Sequence, residues 1–286
     1  MTAWAKLGVQ RRPPNISELL GDVANITVAT GHRYVWRGLK DAYYLLHSAL
    51  ERRLATSGID VTAESLRKYE LALVDAAREA RLGDPRLSDA ELLALLQHAG
   101  ASTPLLDVTP DPFVALFFAT EPVGEIKPCA LVAIKVPGTT LGEQTARTHK
   151  GPLANGEGGI YDRLREALEL PVDSTEPLLW ECPFVDDRMR AQRGMFLATT
   201  APTSPVAFAS FDPDLDSKAQ EKSHVTNLCA RARGGYRRPA LVVFYISASV
   251  RKQAIKELDR RFGYRTETIY PDLNGFALAN APHRTV

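Results

Sequence analysis

Arg37 is the first residue in the chain whose setting invites chemistry. It follows the β-prone run Tyr34-Val35-Trp36 and precedes Gly38. The planar fork of a guanidinium matches a phosphate or a carboxylate, and a glycine beside it lets the backbone turn sharply or approach a ligand closely. The bland reading is an arginine paired with a carboxylate at the edge of the core. A second candidate group is Asp107 with Thr109, just ahead of the apolar run at residues 113–119. At a strand-to-helix junction these two would face a ligand beside free helix amides. Alternatively, Thr109 caps the helix and Asp107 satisfies neighbouring N–H groups. Gln97 and His98 end the helical stretch before them, where a histidine serves as a C-terminal cap more readily than as a catalyst.

These groups need elements to hold them. Asn15 with Glu18, and Ser88 with Glu91, have the spacing of capping boxes and predict helix starts at both places. Residues 42–54 and 62–81 carry apolar side chains at helical spacing, and Gly100 closes the helix that Ser88 opens. Thr109-Pro110 reads as an N-cap with proline at the first helical position, followed by a buried helix over 111–119. Strands are expected at 129–136, 195–198 and 240–246. A modest helix is expected at 161–170, and a helix capped by Ser247 or Ser249 ends at Gly263. Residues 137–159 read as a loop insertion, and residues 266–277 as a C-terminal strand or turn segment. The order is helical first and mixed later, which predicts one α+β domain over 1–286 with a helical extension at 1–30.

Composition narrows the class. With 45% hydrophobic and 24% charged residues in 286, the chain can bury a core. Its 35 basic and 34 acidic side chains remove the argument for nucleic acid that a large basic excess would supply. Cys129, Cys182 and Cys229 are odd in number and widely spaced, which argues against a disulfide framework or zinc site and suits a reducing cytoplasm. Neither a signal peptide nor a membrane span is expected. No phosphate-binding glycine loop, dinucleotide fingerprint, metalloprotease helix or nucleophile elbow is present.

A wider pattern joins the pieces. Trp36-Arg37-Gly38 is followed by the stretch from Tyr44 to Arg52, by Gln97-His98-Ala99-Gly100, and by Leu105-Leu106-Asp107-Val108-Thr109. Then come Ala115-Leu116-Phe117-Phe118-Ala119, Arg188-Met189 with Gln192, Gly194 and Phe196, and Tyr270-Pro271-Asp272-Leu273-Asn274-Gly275-Phe276-Ala277. In this order the blocks resemble the FRG-domain family. Leu39, Pro104 and Val108 depart from the glutamine, arginine and tryptophan common in that family, so no ligand contact is carried over to them. Arg37, Asp107, Thr109, Arg188, Gln192 and Asp272 match, and the resemblance makes them candidates.

The same arrangement is more loosely similar to ADP-ribosyltransferases, which implies a split β-sheet core and NAD as co-substrate. On that likeness Arg37, with Gly38, Gln97, His98, Thr109 and Phe118, would bind NAD. Arg37, Asp107, Arg188 and Gln192 would form the catalytic set. Cleaving the nicotinamide–ribose bond builds positive charge on the ribose, which a carboxylate stabilises. Arg188 or Gln192 stands where those enzymes place a glutamate, so the carboxylate stays open among Glu181, Asp186, Asp187, Asp107 and Asp272.

The leading expectation is therefore an ADP-ribosyltransferase-like toxin or phage-defence effector of the cytoplasm. It would modify nucleic acid or protein and be held by an antidote protein. The alternatives are a non-catalytic nucleotide- or nucleic-acid-binding module and an NAD-dependent RNA 2′-phosphotransferase-like enzyme. The cluster Arg231, Arg233, Arg237 and Arg238 would serve a DNA or RNA acceptor, or else is a solvated loop. A metal-dependent nuclease is a third class, although no ligand cluster marks it.

Overall fold

A computed structural model describes residues 8–29, 32–44, 46–121, 125–140, 148–174, 177–183, 186–199 and 241–280. Cys229 and the arginine cluster at 231–238 lie outside these residues.

Local signals set most of the helices. Asn15 Oδ1 accepts the Glu18 N–H at 2.9 Å and opens α1 (Ile16–Ala29), a longer helix than the cap alone predicts. Ser48 caps α2 (Ala49–Thr56) with Glu51 reciprocating, and Thr62 caps α3 (Ala63–Glu79). The Ser88–Glu91 capping box starts α4 (Asp89–His98), and Gly100 follows it with φ +93°. Ser247 caps α8 (Ala248–Phe262), which Gly263 ends at φ +72°.

The strands build two four-stranded sheets. The first has the order β1 (Gly8–Arg11), β8 (Leu241–Ile246), β4 (Cys129–Thr140), β2 (His32–Leu39). Here β1 runs parallel to β8 and the other pairs are antiparallel. The second has the order β3 (Leu106–Val108), β7 (Met195–Ala198), β6 (Leu178–Glu181), β5 (Thr148–Lys150), parallel only between β5 and β6.

Period-two alternation in β2 explains how they stack. Trp36 joins the apolar layer formed with Leu19 and Val23 of α1, with α5 (Pro112–Thr120) and with α8. Val35 and Leu39, on the opposite face, pack with Leu106, Val108, Leu179 and Leu197 of the second sheet. The far side of that sheet, through Trp180 and Phe196, packs on α3, α4 and α6 (Ile160–Ala167). The result is helices, sheet, sheet, helices: an α+β architecture with ten helices among the described residues.

Several expectations change. Strand β2 runs on beyond the β-prone Tyr34-Val35-Trp36: Arg37 and Gly38 both pair with β4, opposite Val132 and Leu131. Residues 1–30 are not simply a helical extension, because β1 is part of the first sheet and the buried Arg11–Asp22 pair, 2.6 Å apart, ties it to α1. Residues 137–159 are not one loop: β4 continues to Thr140 and β5 follows. The C-terminal segment is helical, as α9 (Thr266–Ile269) and α10 (Leu273–Ala279), where a 3.6-residue period was hidden by short length. Strand β6 and the short helix α7 (Asp187–Gln192) carry no periodicity long enough to predict them.

The cap of α5 also differs from expectation. In Thr109-Pro110-Asp111-Pro112 two cap–proline pairs compete, and the second wins. Asp111 Oδ1 accepts from Phe113 and Val114 N–H at 2.9 and 3.3 Å, with Pro112 in the first turn. The Thr109 backbone is engaged elsewhere. Its carbonyl accepts from Trp36 N–H at 2.7 Å and its N–H donates to Trp36 O at 2.9 Å, an isolated bridge joining the two sheets.

Candidate functional site

Beside that bridge lies a cleft of about 660 Å³. Strand β2 supplies Arg37 and Gly38, β3 supplies Asp107 and Thr109, and the end of α4 supplies Gln97 and His98. Helix α5 contributes Phe118, and α7 contributes Arg188 and Gln192. Nine of the residues singled out in the sequence thus converge on one cavity, although they span 156 positions, and Asp272 does not join them.

Alternation along β2 turns Arg37 toward the second sheet, on the same face as Val35. Its Nη1 donates to Asp107 O at 2.6 Å and lies 3.6 Å from Asp107 Oδ2. Its Nε is buried without a protein partner. Burial pulls the guanidinium below its ordinary value, while the Asp107 carboxylate opposes this. Asp107 is half exposed, at 52% of its side chain. Gln97 Nε2 holds it, donating to Asp107 Oδ1 at 3.0 Å and to Leu105 O at 3.1 Å. Gln97 is itself oriented by the Thr103 hydroxyl, which donates to its Oε1.

His98 does not act as a helix cap through its ring. The ring stands edge-on to Phe196 at 6.1 Å, and Nε2 is buried with no partner. Burial holds it below its ordinary value, and the charge of Arg188 adds to this; Asp107 and Asp186 oppose. The Arg188 guanidinium lies over the Tyr270 ring, 4.5 Å from its centroid, and its Nε too has no partner. Gln192 is 7% exposed and donates to Ile269 O at 3.2 Å.

Gly38 serves packing. A Cβ there would sit 2.0 Å from Ala115 O and 2.4 Å from Ala119 N, so only glycine lets β2 lie directly on α5. Thr109 joins the sheets and accepts the Asp111 N–H at its Oγ1, 3.1 Å away. Phe118 packs on Tyr270 with ring centroids 6.0 Å apart.

Among the carboxylates left open, Asp107 alone lines the cleft. Glu181 faces Arg33 and Lys150 at 3.5 and 3.4 Å. Asp186 caps α7 through the Met189 N–H at 2.6 Å, and Asp187 pairs with Arg190 at 2.9 Å. Asp272 accepts from Gly275 N–H at 2.6 Å and so begins the turn into the last helix.

The cleft also holds residues outside the candidate set: Lys40, Tyr44, Arg52 and the strand start Gly194 to Phe196. Tyr44 and Arg52 bound one of the family-like blocks, and Gly194 and Phe196 belong to another, which is the signal that points to them. Lys40 had none. Its ammonium meets the buried Glu121 at 2.9 Å, and Tyr270 OH donates to the same carboxylate at 3.3 Å.

Residues 32–125 match the FRG domain family. The chain carries an FRG domain. The match covers β2 through α5 and hence Arg37, Gln97, His98, Asp107, Thr109 and Phe118, while Arg188, Gln192 and Asp272 lie beyond it. No match emerged from comparison with curated proteins or with solved structures. Among the described residues no helix is long and apolar enough to cross a membrane, and no three His, Cys, Asp or Glu side chains gather where they could hold a metal ion.

Proposed function

We propose that the cleft beside the FRG domain's first strand binds NAD, and that the protein transfers ADP-ribose from it to an acceptor. One observation carries the reading. Three ring or guanidinium nitrogens, Arg37 Nε, Arg188 Nε and His98 Nε2, are buried at the cleft without partners. Unpaired buried polar groups cost about 1–3 kcal/mol each. A ligand bearing several anionic oxygens, such as a dinucleotide diphosphate, would relieve that cost. A volume of about 660 Å³ lies within the range of about 300–1,000 Å³ found for small-molecule sites.

On this reading the FRG core, with its sheets parting beside the Trp36–Thr109 bridge, is an ADP-ribosyltransferase-like split sheet. Arg37 and Arg188 grip the diphosphate, and Gln97 orients Asp107. Asp107 is the one carboxylate in the lining and would face the nicotinamide ribose. The bond from ribose C1′ to the nicotinamide nitrogen breaks, and neutral nicotinamide leaves with the electron pair. The positive charge left on the ribose is stabilised by the carboxylate. A lone pair of the acceptor then bonds to C1′, and the acceptor's proton passes to solvent. Such an activity would harm the cell that makes it, which suits a toxin or phage-defence role checked by an antidote protein, in a cytoplasm that supplies NAD.

The lining also supports a second reading. Arg37, Lys40, Arg52 and Arg188 outnumber Asp107, which favours a phosphate-gripping module that binds without turnover or acts on an RNA 2′-phosphate. Incubation with NAD labelled in its adenylate half, together with DNA, RNA or lysate protein, separates these. The transferase predicts nicotinamide release and label transfer that Arg37→Ala and Asp107→Asn abolish. An NAD-induced rise in Tm with no nicotinamide released by any acceptor would sink the transferase and leave the binding module.

A further inference from the structure

The turn after β2 carries Tyr43 and Tyr44 side by side at the mouth of the cleft, 55% and 58% exposed. The turn is well fixed. Ala42, 1% exposed, donates its N–H to Pro128 O at 3.0 Å. Tyr43 N–H donates to Asp41 Oδ1 at 2.9 Å, and Tyr44 N–H to Asp41 O at 3.2 Å. Tyr44 lines the cleft together with Lys40 and Arg52. Tyr43 extends the other way, to a side-chain hydrogen bond with Tyr245. Over the Tyr245 ring lies the guanidinium of Arg12, 4.9 Å from the centroid. Arg12, Tyr245, Tyr43, Tyr44 and Arg52 therefore form a continuous stripe from the end of the first sheet into the cleft.

The chemistry of that stripe fits one kind of occupant. Exposed aromatic rings on a rigid turn are platforms on which successive bases stack, and every base has a face to offer. Cations spaced between them track a phosphate backbone. Arg52 sends its Nη1 to His47 O at 2.6 Å and has no carboxylate partner among the described residues, so its charge is available. The acid on the turn, Asp41, already accepts the Tyr43 N–H. An apolar protein partner would want a contiguous apolar patch, whereas cations interrupt this one.

We infer that the stripe is the path of a single-stranded nucleic-acid acceptor, with phosphates along Arg12 and Arg52 and bases on Tyr43 and Tyr44. As an acceptor path it rests on the NAD reading of the cleft. The test is anisotropy of short labelled single strands, RNA and DNA, titrated with the full chain at low salt, with the duplex of the same sequence for comparison. Single strands bind; Tyr43→Ala binds them about tenfold more weakly. Arg12→Ala binds more weakly with a shallower salt dependence. Tyr43 is outside the cleft lining, so the NAD-induced rise in Tm persists in Tyr43→Ala. The path is overturned if wild type binds neither strand, if the duplex binds equally well, or if Tyr43→Ala changes nothing. Strand binding that depends on Tyr43, with no NAD-induced Tm rise in wild type, overturns the NAD reading and with it the acceptor role, while the nucleic-acid surface stands.

Discussion

Two largely sequestered arginines, Arg251 and Arg37, solve the same problem in opposite ways. Arg251, from α8, is 2% exposed and fully engaged. Its Nε donates to Thr120 O at 3.2 Å, Nη1 to Lys40 O and Lys127 O at 3.0 and 2.8 Å, and Nη2 to Glu121 O at 2.8 Å. One side chain thus closes the C-terminus of α5 and pins the segments after β2 and before β4. Arg37, turned toward the second sheet, leaves its Nε unmatched, as Arg188 does across the cleft. A satisfied guanidinium is a structural clamp, and an unsatisfied one beside a cavity is the kind of group the proposed anion site would use. The cavity matters to that distinction. Arg163 also has unmatched nitrogens, yet it faces the buried Glu70 at 3.5 Å and does not line the cleft.

The comparison can be broken most directly at the clamps. Arg251→Ala should lower stability by about 4 kcal/mol, less than the sum of separate charge-assisted bonds at about 1.5–3 kcal/mol each. Denaturant melts read this, and a loss under about 1 kcal/mol would deny Arg251 its role. Arg251→Lys should recover little of it, because an ammonium lacks the fork that reaches several carbonyls. Glu70→Ala strands Arg163 and should cost about 3–5 kcal/mol. Burial raises the Glu70 carboxyl to about 7, and the Arg163 charge and the Ile160 N–H offset this only in part. The folded protein therefore holds more protons than the unfolded chain between about 4.5 and 7. Glu70's contribution is full below that window and fades as pH rises through it. Glu70→Gln should flatten that slope in melts recorded across pH.

Gly38→Ala comes next, at about 1–3 kcal/mol or more, since its Cβ would meet Ala115 O. Arg188→Ala should change stability by less than about 1 kcal/mol in either direction, because functional sites often hold groups at a cost to the fold. Its nucleotide affinity should nevertheless fall at least about tenfold, as loss of a charge-assisted contact implies. A large drop in Tm for Arg188→Ala would move it into the class of Arg251.

The smallest effect sharpens the cleft itself. His98 is held below its ordinary value of 6.5 by burial and Arg188. The unfolded chain then binds the extra proton first, and His98's share of stability is lost as pH falls below about 6.5. Protonation meanwhile adds positive charge at the cleft. Wild type should therefore lose stability but gain anion affinity on acidification, and His98→Asn should show neither trend.

Much of this is legible in the sequence. The capping box at Ser88–Glu91, the Asn15 cap, the buried helix ahead of Ala119 and the strand at 195–198 are local signals, and local hydrogen bonding is enough to produce them. The family-like blocks also carry nine candidate residues that share one cleft. The sequence could not decide which residues face one another across the two sheets. Thr109 looked like the cap of α5 because its neighbours fit, but a cross-sheet bridge to Trp36 claimed its backbone and left the cap to Asp111. Arg251 sits in an unremarkable amphipathic helix, and its four acceptors lie 124 to 211 residues away. Local chemistry is written in spacing, so the sequence determined the elements and the candidate residues. Only the tertiary structure decided which arginine is saturated and which is left open, because that depends on where distant carbonyls and carboxylates come to rest.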